Sequence, residues 1–448
     1  MTVIDLANDN RTPPHDVDAE QGTLGAVLMA PHHLGEVAGI VSTADFYRPA
    51  HQLIYDTLLD LDDSRTPITP VTVVDRLRSR GLLDRVGGAP YLHTLAERAP
   101  LGEQATYYAR IVADRAALRR LVQAGTRIAQ IGYTGHGDVD DLVDEAQAEL
   151  ERVTATRDTA AADMWRVDDD DDDWFESLFQ PLDTSRIIPT PYRELTDLLS
   201  GGARPGELVI VAARPSMGKS VVGMDLVRHA ALRCGIGALF VSLEMPREQV
   251  MERLYAAEAR VAYQAIRSRQ IGPRDAEALR QARAQMRTKP LYVATPTRCT
   301  LGTLQNRLRA LQRRGEQPRL LVVDHVGLMD SRGRVENRTQ EISAYTRGLK
   351  KLAMEWGIAV VALCQLNREA ERRDDHRPRL SDLRDSGSVE QDADVVIGVY
   401  RADYYNRESP RSGEADLLVL KNRSGGLATV TVSSQLHYQR FRDMASGA

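Results

Sequence analysis

Residues Ala213-Arg214-Pro215-Ser216-Met217-Gly218-Lys219-Ser220 form a short loop between an apolar run, 208–213, and a stretch of helical pattern. A strand feeding a tight loop and then a helix N-terminus is a setting in which backbone N–H groups and the helix dipole attract phosphate. There Gly218 lets the backbone approach the anion, Lys219 reaches the β- and γ-phosphates, and Ser220 offers a hydroxyl to Mg²⁺. The generic Walker A motif begins with Gly, and Ala213 stands in that place. Gly-Lys-Ser alone would carry little; its position between strand and helix carries the reading.

Binding a triphosphate is not hydrolysing it. A carboxylate at the C-terminal end of a strand faces the ligand crevice of an open α/β sheet. The run 238–243 ends at Glu244, which could orient an attacking water. The run Leu320-Leu321-Val322-Val323 ends at Asp324, a Walker B pattern whose carboxylate would hold the Mg²⁺ shell. The run 358–364 delivers Gln365, whose amide could sense the γ-phosphate. Taken singly, each is as readily an exposed polar strand end. Acid, acid and amide beside one phosphate loop point together to ATP hydrolysis with Mg²⁺.

Other chemistry is poorly supported. His325 follows Asp324 without a second His at ligand spacing, so a structural role is favoured over a metal. Cys234, Cys299 and Cys364 are far apart and form no CxxC pair, as expected of reduced thiols. Aromatic residues are 5% of the chain, so stacking platforms for bases are not prominent.

The catalytic candidates need a sheet to carry them. Strands are expected at 208–213, 238–243, 291–294, 320–324, 358–364 and 395–400, and late strands within 415–433. Helices are expected at 218–233, 246–258, 300–314 and 337–356. This alternation implies an α/β domain with a largely parallel sheet. Upstream the pattern is helical: Leu24, Val27 and Leu28 share a face, and Leu53, Ile54, Leu58 and Leu61 repeat the spacing. Thr69-Pro70 reads as an N-cap with Pro at the first helical position, and Gly81 as the stop. Tyr108, Ile111, Val112, Leu118, Leu121 and Val122 have core spacing within 103–153. Six consecutive aspartates, Asp168–Asp173, lie between Trp165 and Trp174 and resist compaction, as in a linker. The expected organisation is a flexible arm at 1–15, a helical domain at 16–153, an acidic linker at 154–190 and an ATPase domain at 191–448.

The chain has 448 residues, too many for one ordinary domain, and a net charge of −5. A mildly acidic total argues against a uniformly basic coat, yet a local basic channel for nucleic acid remains compatible with it. The N-terminus lacks a basic start followed by an apolar core, and no apolar run approaches the ~20 residues needed to cross a bilayer. A soluble, cytoplasmic protein without a membrane partner is expected.

Several motifs in order now carry a resemblance. Ala213–Ser220, Ser242–Met245 (SLEM), Leu320–Asp324, Gln365–Arg368 (QLNR) and Leu383–Val396 (LRDSGSVEQDADVV) closely resemble DnaB helicases. Pro13–Gly25 and Asp45–His51 resemble that family's N-terminal domain, so the likeness spans about Pro13 to Met444. It implies a RecA-like P-loop NTPase domain below a mostly α-helical N-terminal collar, in a homo-hexameric ring. It further implies 5′→3′ movement on single-stranded or forked DNA, a primase on the collar, and a helicase loader. By position Lys219 and Ser220 would bind triphosphate and Mg²⁺, Glu244 would be the catalytic glutamate, Asp324 the Walker B acid and Gln365 the coupling residue. Lys421 and Arg423 match a basic pair that the neighbouring subunit supplies. Arg384, Asp385 and Gly387 match the segment that lines the DNA channel: Arg384 by charge, Asp385 through its backbone, Gly387 by close approach.

Departures are specific. His325-Val326-Gly327 stand for a common Tyr-Leu-Gln, Cys364 for a common Ser, Ser220 for Thr, and Ser424-Gly425-Gly426-Leu427 for Asn-Gly-Pro-Thr. None removes a catalytic group, but they leave open a paralogous, plasmid or phage version. A RecA-type recombinase and an ATP-binding scaffold are the competing readings. The helical N-terminal part and linker argue against the first, and the set Lys219, Glu244 and Asp324 against the second.

Overall fold

The computed structural model describes residues 12–99, 104–135, 139–155, 175–176, 178–180, 183–330, 338–386 and 389–444. The acidic run Asp168–Asp173 lies outside them. The chain divides into two compact units, Met1–Ser177 and Leu178–Ala448.

The first unit is helical. Its first helix, Val17–Met29, starts because the Asp16 carboxylate accepts the Ala19 N–H at 3.0 Å. Leu24 and Val27 from this helix pack with Ile54, Tyr55, Leu58 and Leu61 from Pro49–Asp63, Val73 and Leu77 from Pro70–Ser79, and Leu92 and Leu95 from Gly88–Glu97. Thr69 caps its helix and Pro70 occupies the first turn, as the sequence predicts. Buried Glu20 accepts the backbone N–H groups of Tyr47 and Arg48 and pairs with His51 Nδ1 at 2.6 Å. Those bonds supply partners at the start of the Pro49–Asp63 helix that its own carbonyls cannot.

The helix Ala105–Thr134 corrects one expectation. Val112 is buried, but Leu118, Leu121 and Val122 are 43%, 48% and 54% exposed. The residues it turns inward are mostly small: Ala105, Ala109, Ala116 and Ala124. At about 100° per residue, Leu118, Leu121 and Val122 lie on the side of this helix away from Val112 and Ala116.

The second unit carries a nine-stranded sheet: β1 (Leu208–Ala213), β2 (Ala238–Ser242), β3 (Leu291–Ala294), β4 (Leu320–Asp324), β5 (Ala359–Gln365), β6 (Val395–Tyr400), β7 (Glu414–Asn422), β8 (Thr429–Gln435) and β9 (Arg440–Asp443). The order is β3-β2-β4-β5-β1-β6-β7-β8-β9. The first six positions pair in parallel and the last three strands in antiparallel. Both faces of the parallel part are covered, which is why its strands read as unbroken apolar runs. Val209 and Val211 meet Val222 and Val227 of the helix Lys219–Arg228 on one face. Leu208 and Ile210 meet Leu304, Leu308, Leu349 and Leu352 on the other. The sheet class expected from the sequence is therefore present. The long helix Pro273–Arg287 and strand β9 had no counterpart in that expectation.

Strand β9 fastens the phosphate-loop helix. Asp225, 1% exposed, accepts the Phe441 N–H at 2.7 Å and the Tyr192 hydroxyl at 3.1 Å, and pairs with Arg228. Asp225→Ala leaves three donors without their acceptor: the Phe441 N–H, the Tyr192 hydroxyl and Nη2 of Arg228, whose Nη1 keeps Glu258 at 3.0 Å. A loss of about 3–5 kcal/mol is expected in urea unfolding of the full chain. An unchanged midpoint would show that this cluster does not fasten the helix.

Candidate functional site

The C-terminal ends of β1, β2, β4 and β5 meet at one crevice of about 430 Å³. After Ala213 the chain turns through Ser216, at φ +67°, and Gly218, at φ +101°. A Cβ on Gly218 would lie 2.6 Å from the Phe441 ring, so both the left-handed backbone and the close packing require glycine. The helix begins at Lys219, and the first-turn N–H groups of a helix have no carbonyl before them to bond.

Lys219 Nζ donates to Asp324 Oδ1 at 2.9 Å. Asp324 is 0% exposed, and its Oδ2 has no hydrogen-bond partner among the described residues. An unpartnered buried carboxylate oxygen beside a helix N-terminus is what a Mg²⁺-bound triphosphate would fit, with cation on the oxygen and phosphate on the N–H groups. Ser220 also lines the crevice. Among the described residues no cluster of three or more His, Cys, Asp or Glu could hold a metal by itself. Magnesium in such a site takes one or two carboxylates and the substrate's own oxygens.

Register places the other groups. Pairing of β2 with β4 sets Ser242 beside Asp324. The Ser242 hydroxyl donates to the Met245 carbonyl at 2.9 Å and accepts the Met245 N–H at 3.0 Å. That small turn holds Glu244, exposed, on the crevice wall. Pairing of β1 with β5 sets Gln365 beside Ala213, and Gln365 is exposed toward the same crevice. Cys364, just before it, is buried, and burial pushes its thiol up to about 11 against the opposing charge of Lys219. It therefore stays a neutral thiol at ordinary pH. His325 Nδ1 accepts the Gly327 N–H at 3.1 Å.

Not every expected residue converges here. The Arg214 side chain turns away, donating from Nε to Glu371 at 2.9 Å and from Nη1 to the Leu366 carbonyl at 2.8 Å. Arg214, Pro215 and Met217 thus shape the loop, with Met217 2% exposed in the core. Lys421, on β7, donates to the carbonyls of Glu390 and Ala393, at 2.6 and 2.5 Å, and burial lowers its basicity, with Arg423 beside it acting in the same direction. Arg423 lies 3.4 Å from Asp394 Oδ1. Neither lines the crevice of its own chain. Arg384 and Asp385 belong to the 3₁₀ segment Leu380–Ser386, and Gly387 lies outside the described residues.

Three polar crevice residues were missed from the sequence, Gln249, Arg253 and Gln439, beside the apolar Val221 and Leu436. Arg253 donates to Gln439 Oε1 at 2.6 Å and lies 5.1 Å from the centre of the Tyr263 ring. Its Nε is buried with no partner among the described residues. The signal was there: Gln249 and Arg253 are four apart on the helix Arg247–Ala259 that follows Glu244, and so share a face.

The family model described as DnaB-like helicase C terminal domain matches residues 188–443, and that described as DnaB-like helicase N terminal domain matches 12–114. The chain is 43% identical over 441 residues to the replicative DNA helicase DnaB of Leifsonia xyli, covering 97% of this chain and 95% of that one. It is 36% identical over 442 residues to the replicative DNA helicase DnaC of Bacillus subtilis, covering 98% and 96%. A solved DnaB-like replicative helicase, described with its interactions with primase, superposes with TM-score 0.77 at 25% identity, covering 96% of this chain and 100% of its own.

Arg253→Ala removes a cation from the wall that a polyanion would face. A charge-assisted hydrogen bond is worth about 1.5–3 kcal/mol, so the Kd for a fluorescent ADP analogue should rise about tenfold or more. Unaltered affinity would assign Arg253 to packing on Tyr263 and Gln439.

Proposed function

The chain belongs to the DnaB-like helicase family, and from that premise we propose that it is a replicative DNA helicase that hydrolyses ATP to travel 5′→3′ on single-stranded DNA as a hexameric ring. The observation that carries the reading is the Lys219–Asp324 pair, whose carboxylate keeps one buried oxygen without a hydrogen-bond partner among the described residues, beside the lysine of the phosphate loop.

In this reading the loop N–H groups and Lys219 hold the β- and γ-phosphates; Ser220 and Asp324 would hold Mg²⁺, which when bound would supply positive charge against the phosphoryl oxygens. Glu244 orients the attacking water from the turn that Ser242 fixes. Gln365, level with the loop, meets the γ-phosphate by its amide. Lys421 and Arg423 act on the nucleotide of the neighbouring copy, which is supported by their position outside the crevice of their own chain. Arg384, Asp385 and Gly387 face DNA phosphates, which gives little sequence preference and strong salt dependence. The helical unit receives primase, as a relative's description suggests, and a loader places the ring on DNA. No described helix is long and apolar enough to cross a membrane.

The test is ATP hydrolysis with and without single-stranded DNA, and unwinding of a 5′-tailed fork. Wild type should show DNA-stimulated hydrolysis and unwinding. Glu244→Gln should abolish turnover with nucleotide still bound. Arg423→Ala should lower the rate by roughly 10³–10⁵. Mixing Arg423→Ala with Lys219→Ala should restore part of the hydrolysis, because some interfaces then join an intact Lys219 to an intact Arg423. No recovery on mixing would refute the shared site, and hydrolysis without unwinding of either fork polarity would refute the helicase.

A further inference from the structure

The segment after β5 is bonded on both sides. Toward the phosphate loop, the Leu366 N–H donates to the Ala213 carbonyl at 3.0 Å, and the Leu366 carbonyl accepts Arg214 Nη1 at 2.8 Å. Away from it, the Asn367 N–H donates to the carbonyl of Asp382 at 3.1 Å. Asp382 is 1% exposed. Its carboxylate accepts Arg373 Nη1 on one oxygen and Nη2 on the other, both at 2.6 Å, and the Arg379 N–H at 2.8 Å. Leu383, next to it, is buried in the core beneath the sheet. The chain is therefore pinned at Asp382 and Leu383, and Arg384 is the next residue.

We propose that Asp382, held by the Arg373 fork, is the positioning residue that links the Gln365 strand end to the DNA-facing segment, so that the nucleotide state sets where Arg384 stands. This rests on the reading that Arg384–Gly387 meets single-stranded DNA. A shift of Gln365 on the γ-phosphate moves residues 366 and 367 with it. The Asn367 bond passes that shift to the backbone of residue 382, whose carboxylate the Arg373 fork holds, two residues before the DNA segment. A soft contact would absorb the motion. A planar guanidinium on both oxygens of a carboxylate resists rotation as well as stretch. Arg214 braces the other side, since its second partner, Glu371, lies in the 3₁₀ turn Arg368–Arg372 just before Arg373.

A merely structural salt bridge would stabilise the fold without linking the two ligands. The experiment therefore measures linkage in the full-length protein. The affinity for a fluorescent oligo-dT is measured with a non-hydrolysable ATP analogue and with ADP, and hydrolysis is measured with and without DNA. In wild type the two nucleotides should give different DNA affinities, by roughly fivefold or more. In Asp382→Asn the two affinities should converge and DNA stimulation fall toward unity, while hydrolysis without DNA stays within about twofold of wild type. Arg373→Lys keeps the charge without the fork and should lie between; its partly exposed side chain makes it the variant that reports if Asp382→Asn does not fold. Nucleotide-dependent DNA affinity at the wild-type ratio in the folded variants would overturn the positioning role alone. A wild type whose hydrolysis and DNA affinity ignore each other would overturn the helicase reading and this link together.

Discussion

Asp324 has no exposure to solvent, and its nearest cation is Lys219 at 2.9 Å. Burying a carboxylate costs several kcal/mol unless a partner meets it in good geometry. Much of the second unit serves that meeting. The parallel sheet brings Asp324 to the strand ends. Gly218 lets the loop turn beneath the Phe441 ring and start the helix at Lys219. Asp225 ties that helix to the backbone of Phe441, so the ring cannot move without the helix. The pair is satisfied on one oxygen and unsatisfied on the other, which is a poor arrangement for stability alone and a suitable one for a ligand that brings both a cation and an anion. A bound triphosphate would compete for Lys219 while its Mg²⁺ took over the carboxylate, so neither charge would be left alone.

The same sheet explains why some of the site could be read from the sequence. Ala238–Ser242, Leu320–Asp324 and residues 359–364 are buried, and a polar residue at or just past the end of each run marks the point where the sheet meets the crevice. The places of Glu244 and Gln365 on the crevice wall could be read for that reason. For Arg253 only the helix face could be read; its place in the crevice depends on how that helix packs against the turn Leu436–Tyr438, a contact between segments far apart in sequence. Arg214 sits inside the loop motif and lines the crevice, while its guanidinium is bonded to Glu371 and to the Leu366 carbonyl. A motif gives the backbone path. It does not say which side chains of the loop face the ligand.

The helical unit makes the complementary point. Periodicity placed Leu118, Leu121 and Val122 with Val112, yet at about 100° per residue they fall on the side of the helix Ala105–Thr134 away from Val112 and Ala116 and are exposed. The buried face is marked by small residues, Ala109, Ala116 and Ala124, so the large apolar residues pointed to the wrong side. Pro13–Gly25 and Asp45–His51, read together as one resemblance, turn out to be joined physically: Glu20 from the first segment takes the Tyr47 and Arg48 N–H groups and the His51 ring from the second. The two segments are distant in sequence and meet over one buried carboxylate. Both units thus organise a segment crossing around a buried acid, and the difference lies in the leftover valence. The oxygens of Glu20 are both used within the unit, whereas Asp324 keeps one in reserve.

In the proposed reaction the charge that develops on the phosphate has to be met from more than one side. Phosphoryl transfer develops negative charge on oxygens that Lys219 and a cation can neutralise from one side. The far side of the crevice is walled by Arg253, Gln249 and Gln439, and Arg253 is already engaged with Gln439 and the Tyr263 ring. Lys421 and Arg423 are instead gathered around Asp394 and the carbonyls of 390–393, on the opposite side of β1 from β2 and β4. Contacts of 3.4 Å to Asp394 and to the Gln391 carbonyl hold Arg423 loosely, and its side chain is 57% exposed. A cation kept half in water, at weak contacts, is easily exchanged to a stronger acceptor, and a phosphate offered by a second copy is one. If Arg423 acts on a second copy's nucleotide as proposed, the same loose contacts that leave it available would make turnover depend on assembly.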